Sequence, residues 1–178
     1  MSARLSRETL LPLLAGHVLE TGLEGLTLRP LARAAGTSDR MLLYHFGTKD
    51  ALVTALLSYL AETYAGALDN AFPDERARSR KALAESVLAV TGQSDFAPFI
   101  RLWWQIVAGA ARGNSAYRAS AGAMADIMLD WIMAHLPVTD PDPAPAARKI
   151  LTVVEGALML ESIGCGDIAA DAVASLNE

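Results

Sequence analysis

A chain of 178 residues has room for one ordinary domain or for a small head on a larger body, and is too short for two separate enzyme domains. With 52% hydrophobic residues, 13 glycines and 8 prolines it is too apolar for disorder and too poor in chain breakers for a many-turned β protein. The net charge of −5 is uneven: residues 1–49 carry six basic against four acidic side chains, which leaves nine against sixteen for the remainder, so a basic head would turn towards phosphate and an acidic body away from it.

Apolar residues recur with a period near 3.6 along almost the whole chain, and no alternating strand pattern appears, so the fold class is all-α. Leu11, Leu14, Ala15 and Val18 give one apolar face to a first helix from about Leu10 to Glu20, closed by Gly22. Thr9 serves as its N-cap, which puts Pro12 in the first turn, where a missing N–H is harmless. Thr27 and Pro30 repeat that spacing and open a second short helix ending at Gly36. Ser38 caps a third helix reaching roughly to Phe46, and Thr48 a fourth from Lys49 to about Leu68. Further helices are expected near 74–92, 96–112, 116–136 and 145–163, with a tail helix at 167–176; the four prolines of Pro137–Pro145 mark the clearest linker.

Several function classes drop out. No run reaches the roughly eighteen apolar residues of a membrane span, because Glu155 and Glu161 interrupt the segment Ile150–Cys165. The N-terminus sets Glu8 between its arginines and its leucines and does not read as a leader peptide, so the expected location is cytoplasmic, with no membrane partner. One cysteine, Cys165, makes neither an internal disulfide nor a multi-cysteine zinc site. Leu14, Leu42 and Ile132 stand three positions before His17, His45 and His135, so the Glu-x-x-His of a di-metal bundle is missing; no phosphate loop or nucleophile elbow appears either. The expectation is a non-enzyme without metal or cofactor. The basic run Arg76, Arg78, Arg80 and Lys81 follows Asp74 and Glu75 at an expected helix start and reads as an ordinary solvated face.

The informative stretch is GLEGLTLRPLARAAGTSDRMLLYHFGTKDALVTAL, from Gly22 to Leu56. Two short helices about a glycine-containing turn, over about 28–46, have the spacing of a helix-turn-helix. Leu28, Leu31, Ala32 and Ala35 form one apolar face, small enough for Leu42 and Phe46 to approach closely. Gly25 to Arg29, Leu31, Ala32, Ala35, Gly36 and Ser38, followed by His45, Phe46, Lys49, Ala51 and Leu52, resemble the DNA-binding head of the TetR family of bacterial transcriptional regulators. The resemblance implies a DNA-binding head at 1–49 and an effector-binding, dimerising body at 50–178. It implies Thr27, Arg29, Tyr44, His45 and Lys49 at the DNA backbone, with Ser38, Asp39, Arg40 and Met41 nearest the base edges. Leu43 stands where a tyrosine is usual, and Met41 where a threonine is frequent. The function implied is a transcriptional repressor on a near-palindromic double-stranded operator, released by a small apolar effector; the alternative is a helical ligand- or protein-binding dimer that has lost sequence-specific DNA recognition.

In the body, Phe96, Phe99, Ile100, Trp103, Trp104 and Ile106 share a central helix, and Met124, Ile127, Met128, Trp131, Ile132 and His135 line one face of the next. Such stripes are more often plain core than pocket. The family resemblance adds the reading of an effector pocket at Trp103, Trp104, Met124 and Met128. The helix from Pro145 to Ile163 is apolar on most of its circumference and therefore needs two partners, its own core and the same helix of a second subunit, or else full burial in a monomer. The homodimer reading puts Trp131, Val153, Ala157 and Leu160 at the interface.

Overall fold

The computed structural model describes residues 5–72 and 76–177. Its helices are α1 (Arg7–Thr21), α2 (Leu28–Ala34), α3 (Asp39–Phe46), α4 (Lys49–Ala71), α5 (Arg80–Thr91), α6 (Ala97–Ala111), α7 (Ser115–His135), α8 (Pro143–Ser162) and α9 (Asp167–Ala174), with short 3-10 turns at Ser94–Phe96 and Ser175–Asn177. The described residues contain no strand, and the fold is all-α as the periodicity demands.

Three helix starts differ from those read in the sequence, each for a local reason. Helix α1 begins a turn early because Ser6, not Thr9, is its N-cap: the Ser6 hydroxyl accepts the Thr9 N–H and the Thr9 hydroxyl accepts the Ser6 N–H, a reciprocal capping box. Pro12 therefore lies inside the helix, on its exposed side. Helix α5 begins only at Arg80, where Ser79 accepts the Ala82 N–H at 3.1 Å; Asp74 and Glu75 lie outside the described residues. Helix α8 begins at Pro143, so Pro143 and Pro145 occupy its first turn, where no N–H is required, and the linker shrinks to the residues before them.

The basic run that leads into α5 is not a uniform solvated face. The Arg76 guanidinium donates to the Leu136 carbonyl at 3.1 Å, and the Ala77 N–H donates to the His135 carbonyl at 2.9 Å. Arg80 grips Asp140 with two parallel bonds of 2.7 and 2.6 Å, while Lys81 pairs with Glu85 on the same helix. Arg76 and Arg80 thus hold the segment ahead of α5 to the end of α7 and the loop that follows it.

The chain divides into two compact units, one of Met1–Tyr64 with Pro98–Met124 and the other of Ala65–Ala97 with Ala125–Glu178. In the first, Leu10, Leu14 and Val18 of α1 meet Leu31 of α2, Leu42 and Phe46 of α3, Leu52 and Leu56 of α4, and Leu102 and Ile106 of α6 in one core. By length and composition α4 would suffice to cross a bilayer, but Leu52, Leu56, Leu57 and Leu60 are buried within the chain. In the second unit α5, α8 and α9 pack together, with Leu83, Val87, Ile150, Val154 and Val173 buried, and Trp131 and Ile132 of α7 are buried as well.

The Asp140 side chain is 3% exposed, and Arg80 holds its carboxyl below the usual aspartate range, chiefly by hydrogen bonding. Because the folded-state pKa is depressed, the pair stabilises the fold above the ordinary aspartate range, and that stabilisation is lost as pH falls through the lowered value. Asp140→Asn is expected to lower stability by about 1–3 kcal/mol at neutral pH. Urea midpoints of the two proteins should converge as the pH is taken below the ordinary carboxylate range; a gap that does not change with pH would show that the carboxylate charge has no part in it.

Candidate nucleic-acid interface

The helix-turn-helix is assembled from α2 and α3. Helix α2 ends on Gly36, whose φ of +62° is the left-handed conformation that a side chain disfavours. The Thr37 N–H reaches back to the Ala32 carbonyl at 2.8 Å and the Gly36 N–H to that of Arg33 at 3.1 Å, a Schellman termination that satisfies two carbonyls and reverses the chain. Ser38 then caps α3 by accepting the Met41 N–H at 3.3 Å.

Burial of Leu42 and Phe46 fixes the rotation of α3. At 100° per residue Arg40 and Tyr44 are thrown to the opposite side, and the Tyr44 side chain is 77% exposed. Of the residues expected at DNA, Thr27, Arg29, Ser38, Asp39, Arg40, Tyr44 and Lys49 are exposed, while Met41 and His45 are half-buried. Thr27 is the N-cap residue of α2 but makes no capping bond with its side chain, so its hydroxyl is not engaged by that helix end. Asp39 lies in the first turn of α3, where a carboxylate favours the positive end of the helix. Lys49 opens α4 next to Thr48, whose hydroxyl accepts the Ala51 N–H at 3.0 Å. His45 differs from the others: its Nε2 is buried without a hydrogen-bond partner, and its ring meets that of Tyr44 edge-on at 5.2 Å.

Two residues that matter to this geometry carry no signal of their own in the sequence. Arg7 donates from Nε to the His45 carbonyl at 2.6 Å, and its guanidinium lies 5.4 Å from the centre of the Phe46 ring. Gln105, on α6, accepts the Leu23 N–H at 2.6 Å across 82 positions of sequence. Its amide passes so close to Gly22 that a Cβ there would lie 2.7 Å from Nε2. Glycine suits the position, since at φ +80° a side chain would be strained and would have to displace the Gln105 amide. A cleft of about 90 Å³ opens beside this contact, lined by Glu20, Pro98, Arg101 and Gln105 among others.

The residues read as an effector pocket do not line that cleft. Trp103, Trp104 and Met124 fall in the first unit, and Met128 in the second. Both tryptophans are half-buried, and the Trp104 indole N–H is buried without a partner. Of the residues read as an interface, Trp131 is 6% exposed: its indole N–H donates to Asp69 at 2.5 Å, and its ring stacks on His135 at 4.0 Å with the Phe72 ring edge-on at 4.8 Å. Ala157 is buried, whereas Val153 and Leu160 are half-buried.

The family model of bacterial regulatory proteins, tetR family, matches residues 18–56. Among solved structures, multidrug binding protein EbrR complexed with proflavin superposes with a TM-score of 0.71 at 22% identity, covering 96% of this chain and 98% of that one. A putative transcriptional regulator, SCO7518 from Streptomyces coelicolor, gives a TM-score of 0.75 at 19% identity over 96% and 97% of the two chains. A putative TetR-family transcriptional regulator from Rhodococcus sp. gives 0.67 at 22% identity over 96% and 93%. No curated protein sequence matches the chain.

The turn between α2 and α3 can be tested by itself. No atom lies within 4 Å of a Cβ built on Gly36, so a substitution there meets only backbone strain. Gly36→Ala should lower stability by about 1 kcal/mol, read from urea midpoints, and Gly36→Asn by less, because asparagine tolerates the left-handed region. Equal midpoints for all three proteins would remove the turn from the forces that hold α3.

Proposed function

From a head that belongs over residues 18–56 to the tetR family of bacterial regulatory proteins, we propose that this chain is a DNA-binding transcriptional regulator, a repressor that a small apolar effector releases. The observation that carries the reading is α3, buried through Leu42 and Phe46 and presenting Arg40 and Tyr44 on the opposite side. Such a helix enters a major groove with its N-terminal residues at the base edges. Arg40 is assigned to guanine, whose O6 and N7 match the guanidinium fork, and Met41 to apolar contact with a thymine methyl. Thr27, Arg29, Tyr44 and Lys49 are assigned to phosphates, Lys49 with the free backbone N–H groups of the α4 N-terminus. Ser38 and Asp39 serve the start of α3 as well as the groove. With Nε2 turned inward, His45 supports the helix more than it reaches outward. The proposed division of labour is DNA contact at 1–49 and effector binding and dimerisation at 50–178.

The proposed assembly is a homodimer formed through α8. Ile150, Val154 and Ala157 of that helix face the chain's own core, which leaves Met159 at 50% and Ile163 at 66% exposure on the other side, flanked by Val153 and Leu160. Two heads about a two-fold axis call for a near-palindromic operator with half-sites about 34–36 Å apart or a multiple of that. For release, α6 carries both Trp103 and Trp104, proposed to touch the effector, and Gln105, bonded to the Leu23 N–H ahead of α2. An effector that favours one setting of α6 would shift the population of head positions away from DNA. The complexes of EbrR with proflavin and with imidazole support a small-molecule effector. Leu43, exposed and apolar beside Tyr44, favours the second reading, a ligand- or protein-binding dimer that no longer selects a DNA sequence.

Selection from a random duplex pool at near-physiological salt separates the two readings: a recovered palindrome supports the regulator, and no enrichment by a folded dimer supports the second. On a recovered operator, Arg40→Ala should relax one base position in each half-site by about 1–3 kcal/mol, while Lys49→Ala should weaken all sequences alike and reduce the salt slope by about one. Identical profiles for the two variants would overturn the division between base and phosphate contacts. For the assembly, Met159→Glu combined with Ile163→Glu should sediment as a monomer while keeping its helical content; a variant that stays dimeric would move the interface away from α8.

A further inference from the structure

Helix α3 has eight residues and ends on Phe46, so its last carbonyls lack partners further along the helix. The Gly47 N–H satisfies that of Leu43, and Arg7 satisfies that of His45. Arg7 itself is the first residue of α1, where the helix end is positive and a cation is disfavoured. Its Nε is instead 2.6 Å from a carbonyl at the negative end of α3. Its guanidinium lies 5.4 Å from the centroid of Phe46, the buried ring that anchors that same turn. The two contacts hold the last turn of α3 at two points, one on its backbone and one on its buried ring.

We infer that Arg7 is a positioning residue for sequence recognition: it holds the C-terminal turn of α3 through the His45 carbonyl and the Phe46 ring, and so sets where Arg40 and Tyr44 meet the groove. The inference rests on the reading of α3 as the recognition helix and adds a residue to it from outside the helix-turn-helix. Neighbouring charges fit the role. The Glu8 carboxyl is held below the usual glutamate range by the Ser6 hydroxyl and a backbone N–H, with Arg7 and His45 adding to the effect. That carboxylate keeps an acidic group at the α1 N-terminus while the Arg7 charge serves α3.

A residue that positions α3 and a residue that touches phosphate predict different salt behaviour, and this makes the test sharp. Full-length wild type, Arg7→Met and Arg7→Lys would be titrated with the operator recovered from the random pool and with an unrelated duplex, over a series of salt concentrations. Arg7→Met keeps an apolar stem over Phe46 and removes the donor and the charge. It is expected to lower operator affinity roughly three- to tenfold and leave affinity for the unrelated duplex and the salt slope unchanged, with Arg7→Lys in between. If both affinities fall together and the slope becomes shallower by about one, Arg7 is a phosphate contact and the inference is overturned. A ratio of operator to unrelated affinity equal to that of wild type overturns it as well, since a purely structural loss does not change selectivity in the protein that remains folded. Should Arg7→Met fail to fold, as read by its circular dichroism, the same ratio for Arg7→Lys decides. A wild-type protein that selects no sequence removes the reading of α3 and the inference together, whereas a selective wild type with an unchanged Arg7→Met ratio removes only the inference.

Discussion

Eight residues make little more than two turns of helix, far below the roughly 12–15 that begin to hold together alone in water, so α3 persists only while Leu42 and Phe46 stay covered. Each fully buried side chain of this kind contributes about 1.5–3 kcal/mol, and everything on the outer side of α3 depends on that pair. The cover comes from four other helices. Leu10, Leu14 and Val18 arrive from α1, Leu31 from α2, Leu52 and Leu56 from α4, and Leu102 and Ile106 from α6. The surface of α3 proposed to face DNA is thus the exposed side of a core whose parts lie up to about a hundred residues apart in sequence.

Apolar burial leaves the ends of so short a helix unsettled, and polar contacts finish them. Ser38 and Asp39 serve the positive end, the first through a bond to the Met41 N–H and the second through its charge. Gly36 supplies the reversal that brings the chain to Ser38, and Arg7 closes the negative end. None of these contacts is strong alone. Together they constrain the ends of a helix whose middle is already fixed by Leu42, which is what a surface proposed to match a groove requires.

Legibility in the sequence followed the range of the interaction. The end of α2, the start of α3 and the start of α4 are written in neighbouring residues, Gly36, Ser38 and Thr48, whose turn and capping chemistry acts over three or four positions. Ser6 and Thr9 stand at the two ends of one four-residue box, and sequence alone does not say which of two hydroxyls is the cap and which the reciprocal partner. The pairing of Arg80 with Asp140, of Gln105 with Leu23 and of Arg7 with the His45 carbonyl spans 60, 82 and 38 positions. A lone arginine in a basic run, or a lone glutamine on an apolar helix, carries no mark of such a partner. Trp131 shows the same limit for apolar residues: a tryptophan on a stripe shared with methionines reads alike whether its face meets another subunit or, as the geometry has it, Asp69, His135 and Phe72 of its own chain.

The compact units cut across the helices instead of between them, and this bears on how a signal would travel. The first unit takes in α6 and the opening of α7 as well as the helix-turn-helix, so Leu102 and Ile106 are core residues of the very cluster that buries Leu42. On the proposed reading, the effector meets α6 at Trp103 and Trp104, one or two residues from Leu102, Gln105 and Ile106. No long relay is then needed, because a roll or slide of one helix displaces the same side chains that support α3. Protein interiors are packed too densely to absorb such a displacement silently. The bond from Gln105 to the Leu23 N–H gives the motion a directional component on the segment ahead of α2, where Gly22 leaves no side chain to cushion it. On that reading coupling is a property of shared packing within one unit, because α6 falls in the same compact unit as the helix-turn-helix.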